Sequence, residues 1–241
     1  MVDIHTHILY DVDDGSDTLE ESVAILKDAA QNGVTDIILT PHYIDIGEYD
    51  ENKILENFNE LKVKVKEQDL PIKLYLGNEV AIYGNVYSVM QDTRINKLAN
   101  SRYMLIEFPM STDVDYVIDT IYELKIKGIV PIIAHPERCE CFRKHEERIK
   151  QAVEEGALIQ CNTGSLIGTY GNTAKKIVKR LLKEGLVHFL ATDTHTIKHS
   201  RYSDLHKVEA DVEKMIGRYE KNKLFIYNAR NILIDSDIEI N

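Results

Sequence analysis

Seven short apolar runs, separated by stretches whose apolar residues recur at helical spacing, constrain the fold of this 241-residue chain more than any other feature. The runs predict strands at Met1–His5, Thr35–Thr40, Ile72–Gly77, Tyr103–Glu107, Ile129–Ala134, Ala157–Gln160 and Val187–Thr192. Segments such as Ile37-Ile38-Leu39 and Val130-Pro131-Ile132-Ile133-Ala134 are continuously apolar, as expected of parallel strands covered on both faces. The intervening stretches predict helices. Asp17 is expected to cap the first, with Glu20 three residues on; Leu19, Val23, Leu26 and Ala30 share a face, and Gly33 closes it. Val114, Val117, Ile118, Ile121 and Leu124 form a second stripe ending at Gly128, and Ile177, Leu181 and Leu182 a third ending at Gly185. No internal repeat, low-complexity tract or linker interrupts the series, which predicts one domain over residues 1–241. Seven alternating units favour an α/β class with a closed or nearly closed barrel over an open sheet.

In such barrels the chemistry sits at the carboxyl ends of the strands. Metal-type side chains fall there: His5 and His7, then His42, Glu79, Glu107, His135, and finally Asp193 and His195, with Asp14 in the first loop. His5 and His7 alternate with Ile4 and Thr6, so both are expected on one face, where they can share an ion. Mixed imidazole and carboxylate donors suit Mn²⁺, Fe or Zn²⁺ better than Ca²⁺ or a thiolate-bound metal. One ion takes about four ligands, so this set predicts two or three, with a carboxylate such as Glu79 bridging. His145, His188, His199 and His206 lie in helical, loop or mid-strand contexts and are expected to be structural.

Composition excludes several classes. A net charge of −11 argues against a nucleic-acid surface, because clustered Lys and Arg are what grip a phosphate backbone. No run reaches the ~20 apolar residues of a membrane span, and no basic-then-apolar leader opens the chain, so a cytoplasmic protein without membrane insertion is expected. Three cysteines, unevenly placed, fit a reducing compartment. Cys139-Glu140-Cys141 could form half a soft-metal site, but no matching pair occurs elsewhere.

The motifs Asp-Ile-His-Thr-His at 3–7, Thr-Pro-His at 40–42, Glu79, His-Pro-Glu at 135–137 and Thr-Asp-Thr-His at 192–195 resemble those of the polymerase-and-histidinol-phosphatase (PHP) superfamily. Within it, Asp13-Asp14-Gly15, Leu105-Ile106-Glu107-Phe108-Pro109, Ala134-His135-Pro136-Glu137-Arg138 and Thr163-Gly164-Ser165-Leu166 resemble the bacterial tyrosine-protein phosphatases of capsule and exopolysaccharide operons. The resemblance runs in order to about residue 234. It implies a distorted seven-stranded (βα)7 TIM-like barrel, the PHP fold, with a three-metal centre often active with Mn²⁺; Fe, Zn, Mg and Co are the other candidates. By resemblance, His5, His7, Glu79 and Asp193 would hold one ion, Glu79, Glu107 and His135 a second, and Asp14, His42 and His195 a third. The family's arginines map to Arg138 and Arg201. The implied substrate is phosphotyrosine on a bacterial tyrosine kinase with a Tyr-rich tail, in regulation of capsular or exopolysaccharide synthesis. Tyr10, Thr194 and Cys161 depart from the family's usual residues, and none is a ligand position.

The residues themselves suggest how such a site would work. A phosphate monoester dianion repels nucleophiles; a multinuclear centre neutralises it and supplies hydroxide from bound water, so in-line attack by metal-bound hydroxide without a phospho-enzyme is expected. The arginines that the resemblance picks out, Arg138 with Arg201, would pair with phosphoryl oxygens, and His42 or His195, or a water they hold, would hand a proton to the leaving group. Cysteine chemistry is excluded. Phosphate loops of that type place an Arg six residues after the Cys, and here those positions hold His145, Glu147 and Ile167. Two readings compete with the protein phosphatase: a histidinol-phosphatase-like enzyme for a small phosphomonoester, and a metal-stabilised barrel that binds without turnover. Tyr43, Tyr83, Tyr170 and Tyr202 fall in candidate rim loops, where each could stack on a substrate ring, although core or surface packing is the expected role of each. Homo-oligomers are compatible with the sequence.

Overall fold

The computed structural model describes residues 1–44, 49–84, 86–197 and 205–239. Among the described residues nine strands run in the order β1 Val2–Asp3, β2 Asp36–Leu39, β3 His42–Tyr43, β4 Lys73–Leu76, β5 Glu79–Ala81, β6 Tyr103–Glu107, β7 Val130–Ala134, β8 Leu158–Asn162 and β9 Phe189–Ala191. Every pairing among them is parallel, with β1-β2-β4 in one ladder and β3-β5-β6-β7-β8-β9 in the other. All seven expected strands are present. The two unexpected ones are continuations: β3 prolongs β2, and β5 prolongs β4.

The interruptions have a chemical cause. Pro41 follows Thr40 and has no N–H for the ladder. Opposite it, a Cβ on Gly77 would lie 2.7 Å from the Leu98 side chain and 3.2 Å from that residue's Cα, so the chain bends past Leu98 only with glycine there. The Asn78 side chain repairs the gap, its Nδ2 donating to the Pro41 carbonyl at 2.9 Å while its Oδ1 accepts from Tyr49 and the Asn96 backbone. Pairing then resumes, with His42 beside Glu79.

The last strand meets the first. Asp193 N donates to His5 O, His7 N donates to Thr194 O, and Thr6 and Thr194 form a parallel bridge. Counting β2/β3 and β4/β5 as one broken strand each, seven parallel strands circle a common interior.

That interior is filled by alternate residues, namely Val2, Ile38, Tyr103, Leu105, Ile132, Ala134, Leu158, Phe189 and Ala191. The in-between residues, such as Ile37, Leu39, Met104, Ile106 and Ile133, join a larger cluster under the helices. Eleven helices occur among the described residues: α1 Leu19–Gln31, α2 Glu51–Glu67, α3 Val86–Gln91, α4 Val114–Ile126, α5 Glu140–Lys144, α6 Glu147–Glu154, α7 Thr163–Ile167, α8 Gly171–Lys183, α9 His206–Ile216, α10 Arg218–Asn222 and α11 Asn228–Leu233. Ala229 and Ile232 of α11 complete the interior cluster. The tail beyond α11 is tied to the start of β6 through Tyr103 to the Ser236 carbonyl and Arg102 N to Asp235, so this end of the barrel is plugged and the opposite end is left for chemistry.

One expected cap moves. Thr18, not Asp17, caps α1: its backbone is extended and its hydroxyl accepts from Glu21 N at 3.2 Å. Glu21, three residues on, reaches back to Asp17 N and also holds Thr196 and Ile197. Thr18 and Glu21 have the same three-residue spacing as Asp17 and Glu20, and Glu21 is in addition held by a loop 175 residues away, a contact that local spacing does not encode. No described helix is long and apolar enough to cross a membrane.

Candidate metal centre

The nine residues anticipated as ligands converge at the carboxyl ends of the strands. Glu79, at the first position of β5, is the hub. Its Oε2 lies 3.2 Å from His5 Nε2, 3.1 Å from His7 Nε2 and 3.2 Å from His42 Nδ1, and its Oε1 lies 2.9 Å from His135 Nε2. Asp193 Oδ1 stands 3.5 Å from His5 Nε2 and 3.6 Å from His7 Nε2. Asp14 Oδ1 stands 3.5 Å from both His42 Nε2 and His195 Nε2. Donor atoms within 4.8 Å of one another fall into four overlapping groups: His7, Asp14, His42 and His195; His5, His7 and Asp193; His5, Glu79 and His135; and His42, Glu79 and Glu107. The grouping differs in detail from the division the resemblance implies, because His42 rather than His135 shares a group with Glu107, whose Oε1 is 3.8 Å from His135.

Local backbone features aim these side chains. Ile4 belongs to the interior cluster and His5 to the metal cluster, so strict alternation is interrupted between them, where the β1–β2 ladder stops. His135 and Asp193 have φ of 31° and 53°, in the left-handed region that non-glycine residues rarely occupy. Such strain is characteristic of functional positions held by their surroundings. Gly15 lets the first loop fold over the site: a Cβ there would sit 1.8 Å from the His7 carbonyl oxygen.

Beneath the nine lies a buried network that spacing did not reveal. With the ring proton on Nδ1, His5 donates to Gln160 Oε1 at 3.0 Å and His7 to Asp13 Oδ2 at 2.9 Å. Gln160 Nε2 donates to Asn162 Oδ1, and Asn162 Nδ2 donates to Asp193 Oδ2. Asp13 also accepts from His42 N and Gly15 N. Glu137 accepts from Asn162 N and Ser165 Oγ. Such outer partners fix which imidazole nitrogen carries the lone pair. A signal for Gln160 and Asn162 existed: they end β8, the one strand end where no candidate was named, and the catalytic-end rule applies to it equally.

The donor set fits a cation. With both Nδ1 protons committed, the Nε2 lone pairs of His5 and His7 face each other at 3.1 Å, beside two carboxylates. That arrangement is repulsive until something positive sits among them. Charge perturbations follow the same logic. Burial would raise the Glu79 carboxyl, but His5, His135 and His7 hold it well below the usual range. Burial would likewise raise Asp193, and His5, His135 and His7 hold it down. Glu107 is pushed up by burial and by the neighbouring Glu79 charge. Burial opposes charge on the imidazoles, yet Asp13 and Glu79 lift His7 well above its usual value, and Glu79 lifts His135 to about 9. The site attracts protons to its imidazoles for the reason it would attract metal, and the two compete for the same lone pairs.

Arg138 follows in the 135–138 loop. Its Nη1 donates to Asp193 Oδ2 at 2.7 Å, and its guanidinium lies over the Tyr170 ring at 4.4 Å. Arg201 and Tyr202 lie outside the described residues. Tyr43 is buried with its hydroxyl on Asp92, and Tyr83 is exposed. His188 is buried just before β9 and accepts from Ile159 N.

The chain is similar along its length to known proteins. A family model described as capsular polysaccharide synthesis, CpsB/CapC, matches residues 1–234. The tyrosine-protein phosphatase CpsB of Streptococcus pneumoniae is 32% identical over 241 residues, covering 98% of this chain and 99% of that one. A solved structure from work on YwqE of Bacillus subtilis and CpsB of Streptococcus pneumoniae, described as metal-dependent tyrosine phosphatases, superposes with a TM-score of 0.92 at 32% identity, covering 100% of this chain and 97% of that one. A zinc-containing histidinol phosphate phosphatase from Lactococcus lactis shares the fold alone, with a TM-score of 0.57 at 14% identity over 89% of this chain and 94% of that one. The chain belongs to the CpsB/CapC family of capsular polysaccharide synthesis.

Proposed function

We propose that this protein is a metal-dependent protein-tyrosine phosphatase, a single domain over residues 1–241, acting on phosphotyrosine of a bacterial tyrosine kinase with a Tyr-rich tail and so regulating capsular or exopolysaccharide synthesis. The observation that carries the reading is the convergence of five imidazoles and four carboxylates around Glu79 at one end of the barrel. Its three thiols are buried and lack a following phosphate-binding arginine, which supports water rather than cysteine as the nucleophile. Thiols left unpaired also suit a cytoplasmic location.

His5, His7, Glu79 and Asp193 would hold one ion, Glu79, Glu107 and His135 a second, and Asp14, His42 and His195 a third. Mn²⁺ is the expected metal, given mixed nitrogen and oxygen donors without sulfur. When bound, such ions supply hydroxide at neutral pH and neutralise phosphoryl oxygens. The chain's own residues do the rest. Gln160 and Asp13 hold His5 and His7 in the lone-pair orientation that an ion requires. Arg138 brings a planar, permanently charged donor fork to the phosphoryl group, and its seat on Tyr170 and Asp193 limits the entropy lost when it engages. A tyrosyl leaving group has a pKa of about 10, so its demand for a proton is modest. His42, partly exposed, and His195 stand beside Asp14 and would meet that demand through a water that they hold.

The test is to strip the protein with EDTA, restore Mn²⁺, and follow phosphate release from a phosphotyrosyl peptide and from histidinol phosphate. Metal-dependent turnover with preference for the peptide is expected. Preference for histidinol phosphate would move the assignment to a small-molecule phosphatase, and no turnover of either would leave a binding barrel.

A further inference from the structure

Next to the metal cluster, alongside the loop bearing Asp14, lies a cavity of about 530 Å³, within the size range of small-molecule sites. Val12, Ile44, Tyr49 and Ile54 supply its apolar lining, and Asp14 and His42 belong both to the cavity and to the metal cluster. A group esterified to a phosphate held at the cluster therefore meets this lining next. Tyr49 is fixed in place. Its hydroxyl donates to Asn78 Oδ1 at 3.0 Å and accepts from Asn96 Nδ2 at 3.1 Å, and its ring packs edge-on against Tyr43 with centroids 4.9 Å apart. With its oxygen committed to those partners, what Tyr49 offers the cavity is its ring. Ile54 is buried beneath, while Ile44 leaves half its side chain uncovered on the rim.

We propose that this cavity is the subsite for the aromatic ring of the phosphotyrosyl side chain, with Tyr49 as the surface on which that ring packs; the inference rests on the phosphatase reading above. Aromatic pairs prefer offset or edge-to-face contact and gain beyond simple burial. Such a contact is made equally in the ground and transition states, so its loss raises KM and leaves kcat nearly unchanged.

The test uses the Mn²⁺-loaded full chain with two peptides of identical sequence, one carrying phosphotyrosine and one phosphoserine. Tyr49→Leu is expected to raise KM for the phosphotyrosyl peptide about tenfold and to lower the ratio of the two kcat/KM values accordingly. Tyr49→Phe keeps the ring and is expected to keep the ratio. A second readout is independent of turnover. The chain has no tryptophan, so Ile44→Trp places a lone indole on the rim. Its emission is expected to shift on titration with a peptide carrying phosphonomethyl-phenylalanine and to stay constant with inorganic phosphate. An unchanged ratio in folded Tyr49→Leu, or an indole equally responsive to phosphate alone, overturns the subsite. A wild-type enzyme that hydrolyses neither peptide overturns the phosphatase reading instead, and the indole titration still decides whether the cavity takes an aryl ring.

Discussion

Replacing Gln160 by Leu tests whether the buried network, and not the ligands alone, makes the metal site. The Gln160 side chain is fully buried at the end of β8. Its Oε1 accepts from His5 Nδ1 at 3.0 Å and from His135 N at 3.3 Å, and its Nε2 donates to Asn162 Oδ1 at 2.8 Å. Leucine has nearly the same volume, so no cavity opens, but all three hydrogen bonds vanish. His5 then loses the acceptor that holds its proton on Nδ1, and its Nε2 lone pair is no longer guaranteed to face Glu79 and Asp193. Loss of an outer-shell partner of this kind typically costs 10–100-fold in metal affinity. The orphaned donors should also destabilise the metal-free fold by about 1–3 kcal/mol each where water cannot reach them. Metal affinity is read by competition with a chromophoric chelator, and stability by urea unfolding of the EDTA-treated protein. Gln160→Glu supplies the contrast, because it keeps an acceptor for His5 and should bind metal better than the Leu variant. A Gln160→Leu protein that folds and binds Mn²⁺ within about threefold of wild type would refute the view that this amide orients His5.

Acid stability should depend on His188, whose pKa is lowered to about 4 by burial and by Lys223, against 6.5 when unfolded. The unfolded chain then takes up the proton first, so the neutral ring's contribution is complete above about pH 6.5 and is lost as pH falls toward 4. The two and a half units amount to roughly 3 kcal/mol; urea midpoints of wild type and His188→Gln across this window should show the variant without that slope. Gly15→Ala drives a methyl into the His7 carbonyl and should lift Asp13 off His7, costing about 1–3 kcal/mol in thermal stability together with weaker metal binding. Arg138→Lys keeps the charge but loses the planar fork and its stacking on Tyr170, so kcat/KM for a phosphotyrosyl peptide should fall about tenfold or more with metal content unchanged.

Much of this protein was legible as a linear string. Continuous apolar runs predicted strands covered on both faces, and the seven found match because burial on two sides leaves no room for polar alternation. The convergence of the candidate ligands was legible because parallel barrels concentrate chemistry at one end of every strand. What stayed hidden depended on contacts across the ring. The bend at Gly77 follows from Leu98 lying against it, and the gap left by Pro41 is repaired by Asn78 from the neighbouring strand. The preference for Thr18 over Asp17 as the cap is backed by Thr196 and Ile197 holding Glu21, a contact from the far end of the chain. The left-handed turns at His135 and Asp193 follow from hydrogen bonds with Gln160, His5 and Asn162, residues from other strands.

The sequence by itself determined which side chains could bind metal and at which end of the barrel they would stand. Only the tertiary structure decided how those donors face one another. Lone-pair direction at His5 and His7 is set by Gln160 and Asp13, the first of them 155 residues from its partner, and no periodicity along the chain carries that information.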